Sequence, residues 1–146
     1  MAKFKYRMQN ILDVKLKLES QAKIAYGIAN QKYLAEQKTL QELIIRRTGY
    51  EMALKEVMTG TIDVREVAHA RADVNTMKTL VRRQMIAVHK AELELNDARQ
   101  KLNEIMTERK THEKLREKAF EQFKEEIKES ESKEIDELVS FTYNSK

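Results

Sequence analysis

Starting at Val67 and stepping alternately by three and four, the chain reads Ala70, Val74, Met77, Val81, Gln84, Val88, Ala91, Leu95, Ala98, Leu102 and Ile105. One heptad position is Val, Val, Val, Val, Leu, Leu and the other is Ala, Met, Gln, Ala, Ala, Ile. Such a 3.5-residue period keeps an apolar seam facing a partner helix only if the helices supercoil left-handedly. Continuing the count gives Arg109, His112, Arg116, Ala119 and Phe123, so the seam turns polar before an aromatic end.

The first half keeps the same spacing less regularly. Met8, Ile11, Lys15, Leu18, Ala22, Ala25 and Ala29 follow it, and so do Tyr33, Glu36, Leu40, Leu43, Arg47, Tyr50, Leu54 and Val57. Two successive steps of four are needed between Ala25 and Tyr33, a stutter that would locally unwind the supercoil. Ala22, Ala25, Gly27 and Ala29 cluster there and would permit close backbone approach or bending.

Stop and start signals coincide in one place, Met58-Thr59-Gly60-Thr61-Ile62-Asp63. Gly60 terminates a helix just past Val57, and Asp63 with Glu66 three residues on reads as an N-cap and its capping-box partner. The expected architecture is all-α: two long helices forming an antiparallel coiled-coil hairpin, the second helix longer. Boundaries are expected at about 3–58 for helix one, 59–63 for the turn and 64–139 for helix two. Residues 140–146 are expected to fray, and 1–146 to form a single domain. Residue i should lie opposite roughly residue 121 − i, which puts Phe4 near Glu117 and leaves the end of helix two overhanging.

Composition agrees with a rod. There is no proline or cysteine, glycine occurs three times, and 36% of residues are charged, as long coiled-coil helices are. Residues 1–60 carry 11 Lys/Arg against 6 Asp/Glu, and residues 112–146 carry 7 against 10. The two ends of the chain can therefore attract when it folds back. No run approaches the roughly 20 apolar residues that span a bilayer, and the start lacks the apolar core of a secretory signal. Lack of cysteine suits a reducing interior, and cytoplasm is the expected compartment.

Chemistry-bearing constellations are sparse. His69, His89 and His112 are spaced about twenty apart without the i, i+4 pairing of a helical metal site. The carboxylates Glu92, Glu94, Asp97, Glu125, Glu126 and Glu129 read as solvated faces with i, i+4 partners, and a two-helix rod has no pocket in which to desolvate an acid. No glycine-rich phosphate loop exists. The expectation is a non-enzyme that needs no metal and no cofactor. The basic doublets Arg46-Arg47 and Arg82-Arg83, and Tyr26, Tyr33 and Tyr50, are interleaved with acids and fall at seam spacing, so nucleic acid is not an expected partner. The segment Phe4–Leu18 is apolar over a wider arc than one seam uses, which marks a protein-docking surface rather than membrane insertion.

Two segments carry a resemblance. FKYRMQNILDVKLKLE (Phe4–Glu19) is similar to the opening of the FliJ proteins of the bacterial flagellar export apparatus, with an aromatic–basic stretch and then a leucine–acid–lysine step. EKLREKAFEQFKEEIKESESKEIDEL (Glu113–Leu138) resembles their carboxy-terminal signature. There Glu113, Lys114, Arg116, Glu117 and Lys118 match a charged block, Phe123 an aromatic, and Glu134, Asp136 and Glu137 a closing acidic group. LKEVMTGTIDVREV (Leu54–Val67) sits where the family has its glycine-containing turn.

The resemblance implies a cytoplasmic helical hairpin like the central stalk of a rotary ATPase, associated with the inner face of the cell membrane through its partners. Those partners would be the hexameric flagellar export ATPase, the cytoplasmic domain of the export-gate membrane protein, and the export chaperones. The ATPase-binding end would comprise Phe4, Tyr6, Arg7, Met8, Ile11, Lys15, Glu113, Lys114, Arg116, Glu117, Lys118, Phe120 and Phe123. Competing readings are a stalk subunit of an ion-translocating rotary ATPase and a homodimeric coiled-coil scaffold.

Overall fold

A computed structural model describes residues 3–144. The chain forms two helices, α1 (Gln9–Val57, 49 residues) and α2 (Val64–Asn144, 81 residues), packed as an antiparallel coiled-coil hairpin in which the second is longer. Ala, Leu, Glu, Lys, Gln and Arg fill both helices, and no proline interrupts either backbone ladder.

The turn is built as its residues dictate. The Met58 amide donates to the Leu54 carbonyl at 3.2 Å, the Thr59 amide donates to Glu56 O at 3.1 Å, and Gly60 then adopts φ 75°. A left-handed residue at this position is what releases the chain from α1, and glycine takes it without a Cβ clash. Asp63 caps α2: its carboxylate accepts from the Arg65 amide at 2.9 Å while its carbonyl accepts from the Val67 amide at 3.0 Å. Glu66 adds an acidic charge in the first turn of α2.

Packing groups the chain into two compact units, one of Ala22–Leu102 and one of the residues to Gln21 with those from Asn103 onward. The turn-bearing unit has an apolar seam in which Val74, Met77, Val81, Ala91 and Leu95 are buried. Tyr33, Leu40, Leu43, Leu54 and Val57 of α1 are half-buried. The heptad series read along α2 is thus the observed seam. Its one polar member, Gln84, donates to the Glu36 carbonyl at 2.9 Å and to the Glu36 carboxylate, so that a polar pair sits at that level of the seam. Lys32 meets Glu94 at 3.0 Å, and the Arg99 guanidinium lies 5.9 Å from the centre of the Tyr26 ring.

The start of α1 departs from the expected seam. The positions turned inward are Leu12, Lys15, Glu19, Ala22, Tyr26, Ala29 and Tyr33, an unbroken alternation of three and four with no stutter. Met8, Ile11 and Leu18, expected in the seam, are exposed at about 40%. An apolar count favours Ile11 and Leu18 over Glu19, but Glu19 finds an arginine across the seam, and that pairing sets the phase. Helix α1 begins at Gln9 rather than near residue 3. Lys3, Lys5 and Arg7 would place three cations at the positive end of a helix dipole; instead a turn closes from the Gln9 amide to the Tyr6 carbonyl at 3.1 Å. At the other end α2 runs on to Asn144, past the fraying expected from residue 140, with residues 145 and 146 outside the described part.

Candidate partner-binding end

The unit that holds both ends of the chain has a different interior from the turn-bearing one. Leu12 is 4% exposed and Glu19 5% exposed. The Glu19 carboxylate accepts from Arg109 Nε at 2.5 Å and from its Nη2 at 3.4 Å, a fork that suits the planar guanidinium. Arg109 also donates through Nη1 to Glu113 at 2.9 Å. The bond to Glu19 raises the Arg109 pKa further, so this guanidinium stays charged at every accessible pH. One turn away Lys15 donates to Glu108 at 2.6 Å, and that bond with the ammonium charge holds the Glu108 carboxyl below the usual carboxylate range.

Aromatic packing closes this end. The Phe4 ring lies edge-on to Phe120 with centroids 5.0 Å apart and tilted against Phe123 at 5.4 Å, the geometry that aromatic quadrupoles favour. Arg116 spans both helices: its Nε donates to Gln9 Oε1 at 2.9 Å while its guanidinium lies 5.7 Å from the Phe4 ring centre. Lys124 Nζ is 4.6 Å from the centre of the Phe120 ring. Phe4 therefore sits about a turn further along α2 than the expected level of Glu117.

The expected partner-binding residues divide into three sets. Phe4, Arg116, Phe120 and Phe123 come together as one cluster, with Tyr6 half-buried beside the start of α1. Lys15 and Glu113 are engaged in ion pairs. Arg7, Met8, Ile11, Lys114, Glu117 and Lys118 are exposed. Gln9, Leu12, Leu16, Lys110, Glu113 and Lys114 line a shallow groove along this end. Two atoms here, Tyr6 Oη and His112 Nδ1, are buried without a hydrogen-bond partner among the described residues.

Three participants escaped the sequence reading as site residues: Glu19, Arg109 and Gln9. The signal was present for the pair, since the α2 count reaches Arg109 and a count begun at Leu12 rather than Met8 reaches Glu19. Among the described residues no group of three His, Cys, Asp or Glu side chains could hold a metal ion, and no helix is long and apolar enough to cross a membrane. The arrangement is a surface of paired charges and edge-packed aromatics.

Comparison with protein families finds a match over residues 4–146 to the family described as flagellar FliJ protein. Neither curated proteins nor solved structures give a significant match.

Proposed function

The chain belongs to the FliJ family, which makes it a component of the flagellar export apparatus, and we propose that it serves there as a non-catalytic stalk. In this reading the end bearing Phe4, Arg116, Phe120 and Phe123 binds the hexameric export ATPase and promotes its activity. Other faces of the helices contact the cytoplasmic domain of the export gate and the export chaperones. The protein then works on the cytoplasmic side of the membrane, held near it by those partners.

One observation carries the proposal. Segments about a hundred residues apart in the chain, each resembling a terminal segment of the family's proteins, are packed together through Phe4 against Phe120 and Phe123. Neither Arg116 nor the charged groups Glu117 and Lys118 are needed to sustain an apolar seam, and the last two project to solvent. A helical pair with unequal faces, seated in a ring of identical subunits, touches each differently and biases the states through which they cycle. Its charges would chiefly speed docking and fix orientation.

The test is the ATP hydrolysis rate of the cognate export ATPase with and without this protein, together with a pull-down of the pair. Binding with a raised rate is the expected result. A triple variant with Phe4→Ala, Ile11→Ala and Phe123→Ala should lose the stimulation while keeping its far-UV helicity. A folded wild-type chain that neither binds the ATPase nor changes its rate would overturn the stalk role.

A further inference from the structure

Within the turn-bearing unit, the outer face of α1 is apolar where a two-helix hairpin would ordinarily present charge to water. Ile24, Ile28, Ile45 and Met52 are 62–71% exposed there. They belong to a second alternation of three and four, turned away from the seam with α2, that runs unbroken from Ile24 to Glu56 with every member exposed. Apolar spacing sustained over more than four heptads marks a coiled-coil contact. None of the residues given to the export ATPase lies on this face.

The stripe is complementary to itself. Laid antiparallel on a second copy so that position i faces position 80 − i, it sets Ile28 against Met52, Ala35 against Ile45 and Lys38 against Glu42, with Gln31 over Gly49. Small residues meet large ones and a cation meets an anion; the end layer, Ile24 with Glu56, is the one that mixes apolar with charged. Gly49 is otherwise unexplained. A Cβ there would meet nothing within 4 Å, so the hairpin has no need of glycine, which costs a helix stability relative to alanine. What glycine supplies is a notch for a side chain from outside. At the edges of the contact Gln41 meets its own mate, an amide pair that can exchange hydrogen bonds. Lys32 would approach Arg46, but it is already held by Glu94 at 3.0 Å.

We propose that this face is covered by a second copy of the chain, the two α1 helices packing antiparallel about a two-fold axis at the level of Leu40. The symmetry makes every layer twice, over about 50 Å of helix. A partner of unrelated sequence would place no demand on how the first half of the stripe relates to the second. A two-fold axis requires each half to complement the other, and that relation is what the stripe carries. The two Lys38–Glu42 layers beside the axis fix direction and register. A parallel pairing in register would instead set Lys38 against Lys38 and Glu42 against Glu42.

Analytical ultracentrifugation of the full chain from about 1 to about 200 μM should show a monomer–dimer equilibrium within that range. Ile45→Asp, at a position 71% exposed in the hairpin, should raise the dissociation constant about tenfold or more while leaving far-UV circular dichroism unchanged. Lys38→Glu and Glu42→Lys should each weaken the dimer, and the two together in one chain should restore it, because the central layers are again oppositely charged. The chain has no cysteine of its own, so the register can be read directly. Under mild oxidation an Ala35→Cys chain mixed with an Ile45→Cys chain should form a disulfide-linked pair. Ala35→Cys alone, its two thiols about 15 Å apart along the helices, should not. A chain that stays monomeric throughout would overturn the proposal and leave the face to a different protein. A dimer indifferent to Ile45→Asp, or one that cross-links equally well through Ala35→Cys alone, would overturn it too. No export ATPase is present in these measurements, so they fail or succeed independently of the stalk role.

Discussion

The two units solve the same two-helix packing problem with different chemistry. The unit with the turn buries Val74, Met77, Val81, Ala91 and Leu95 along one face of α2, and the Gln84–Glu36 hydrogen bond interrupts its seam. The unit with the chain ends buries Leu12 and closes around Glu19–Arg109, Lys15–Glu108 and three phenylalanines. An apolar seam gains stability from area removed from water and is indifferent to small shifts in register. A forked ion pair is costly to bury and gains little net stability, but it tolerates one alignment only. The difference teaches that the turn-bearing unit supplies stability and the other supplies phase.

Breaking the apolar seam should have the largest effect. Leu95→Ala should cost about 2–4 kcal/mol in urea denaturation followed by circular dichroism, and a loss below 1 kcal/mol would show that the seam collapses around the gap. Next in size, Arg109→Ala should lower the urea midpoint by removing the forked guanidinium from the buried Glu19 carboxylate. The double variant Glu19→Leu with Arg109→Leu sharpens the point. It should recover the midpoint or exceed the wild type, because it converts one kind of seam into the other. If Ile11 and Leu18 then become protected in hydrogen–deuterium exchange of their helix while Leu12 loses protection, the ion pair is what fixes the phase.

Asp63→Ala removes the carboxylate that caps α2 at the Arg65 amide and should cost about 1 kcal/mol, read from the same denaturation curves. The smallest expected effect is at Glu108. Its pKa is lowered in the folded chain by Lys15, so it binds its proton less readily folded than unfolded. The stabilisation is therefore complete above the ordinary glutamate range and fades as pH falls through the lowered value. Glu108→Gln should remove that small increment and flatten this part of the acid limb of stability against pH.

Much of this fold was legible in the sequence. The α2 series from Val67 to Ile105 named the buried face residue by residue, and Gly60 with Asp63 marked the turn that makes the helices antiparallel. Apolar periodicity and backbone capping act within a few residues of sequence, and local patterns suffice to read them. The phase of α1 was not legible in the same way. Met8–Ile11–Leu18 and Leu12–Glu19–Tyr26 both keep the required spacing, and the first is the more apolar. The candidate site was half legible: its phenylalanines and Arg116 could be named, while Glu19 looked like one surface carboxylate among many.

What the sequence alone determined is that this chain makes two long helices, where they break, and which stripe of α2 faces inward. Spacing, propensity and caps are properties of neighbours along the chain. Tertiary structure alone decided which stripe of α1 answers it, that a glutamate is buried there, and that Phe4 packs on Phe120 and Phe123. Those outcomes depend on a partner about ninety or more residues away. A buried charge is acceptable only when its counter-ion arrives at hydrogen-bonding distance from the opposite helix.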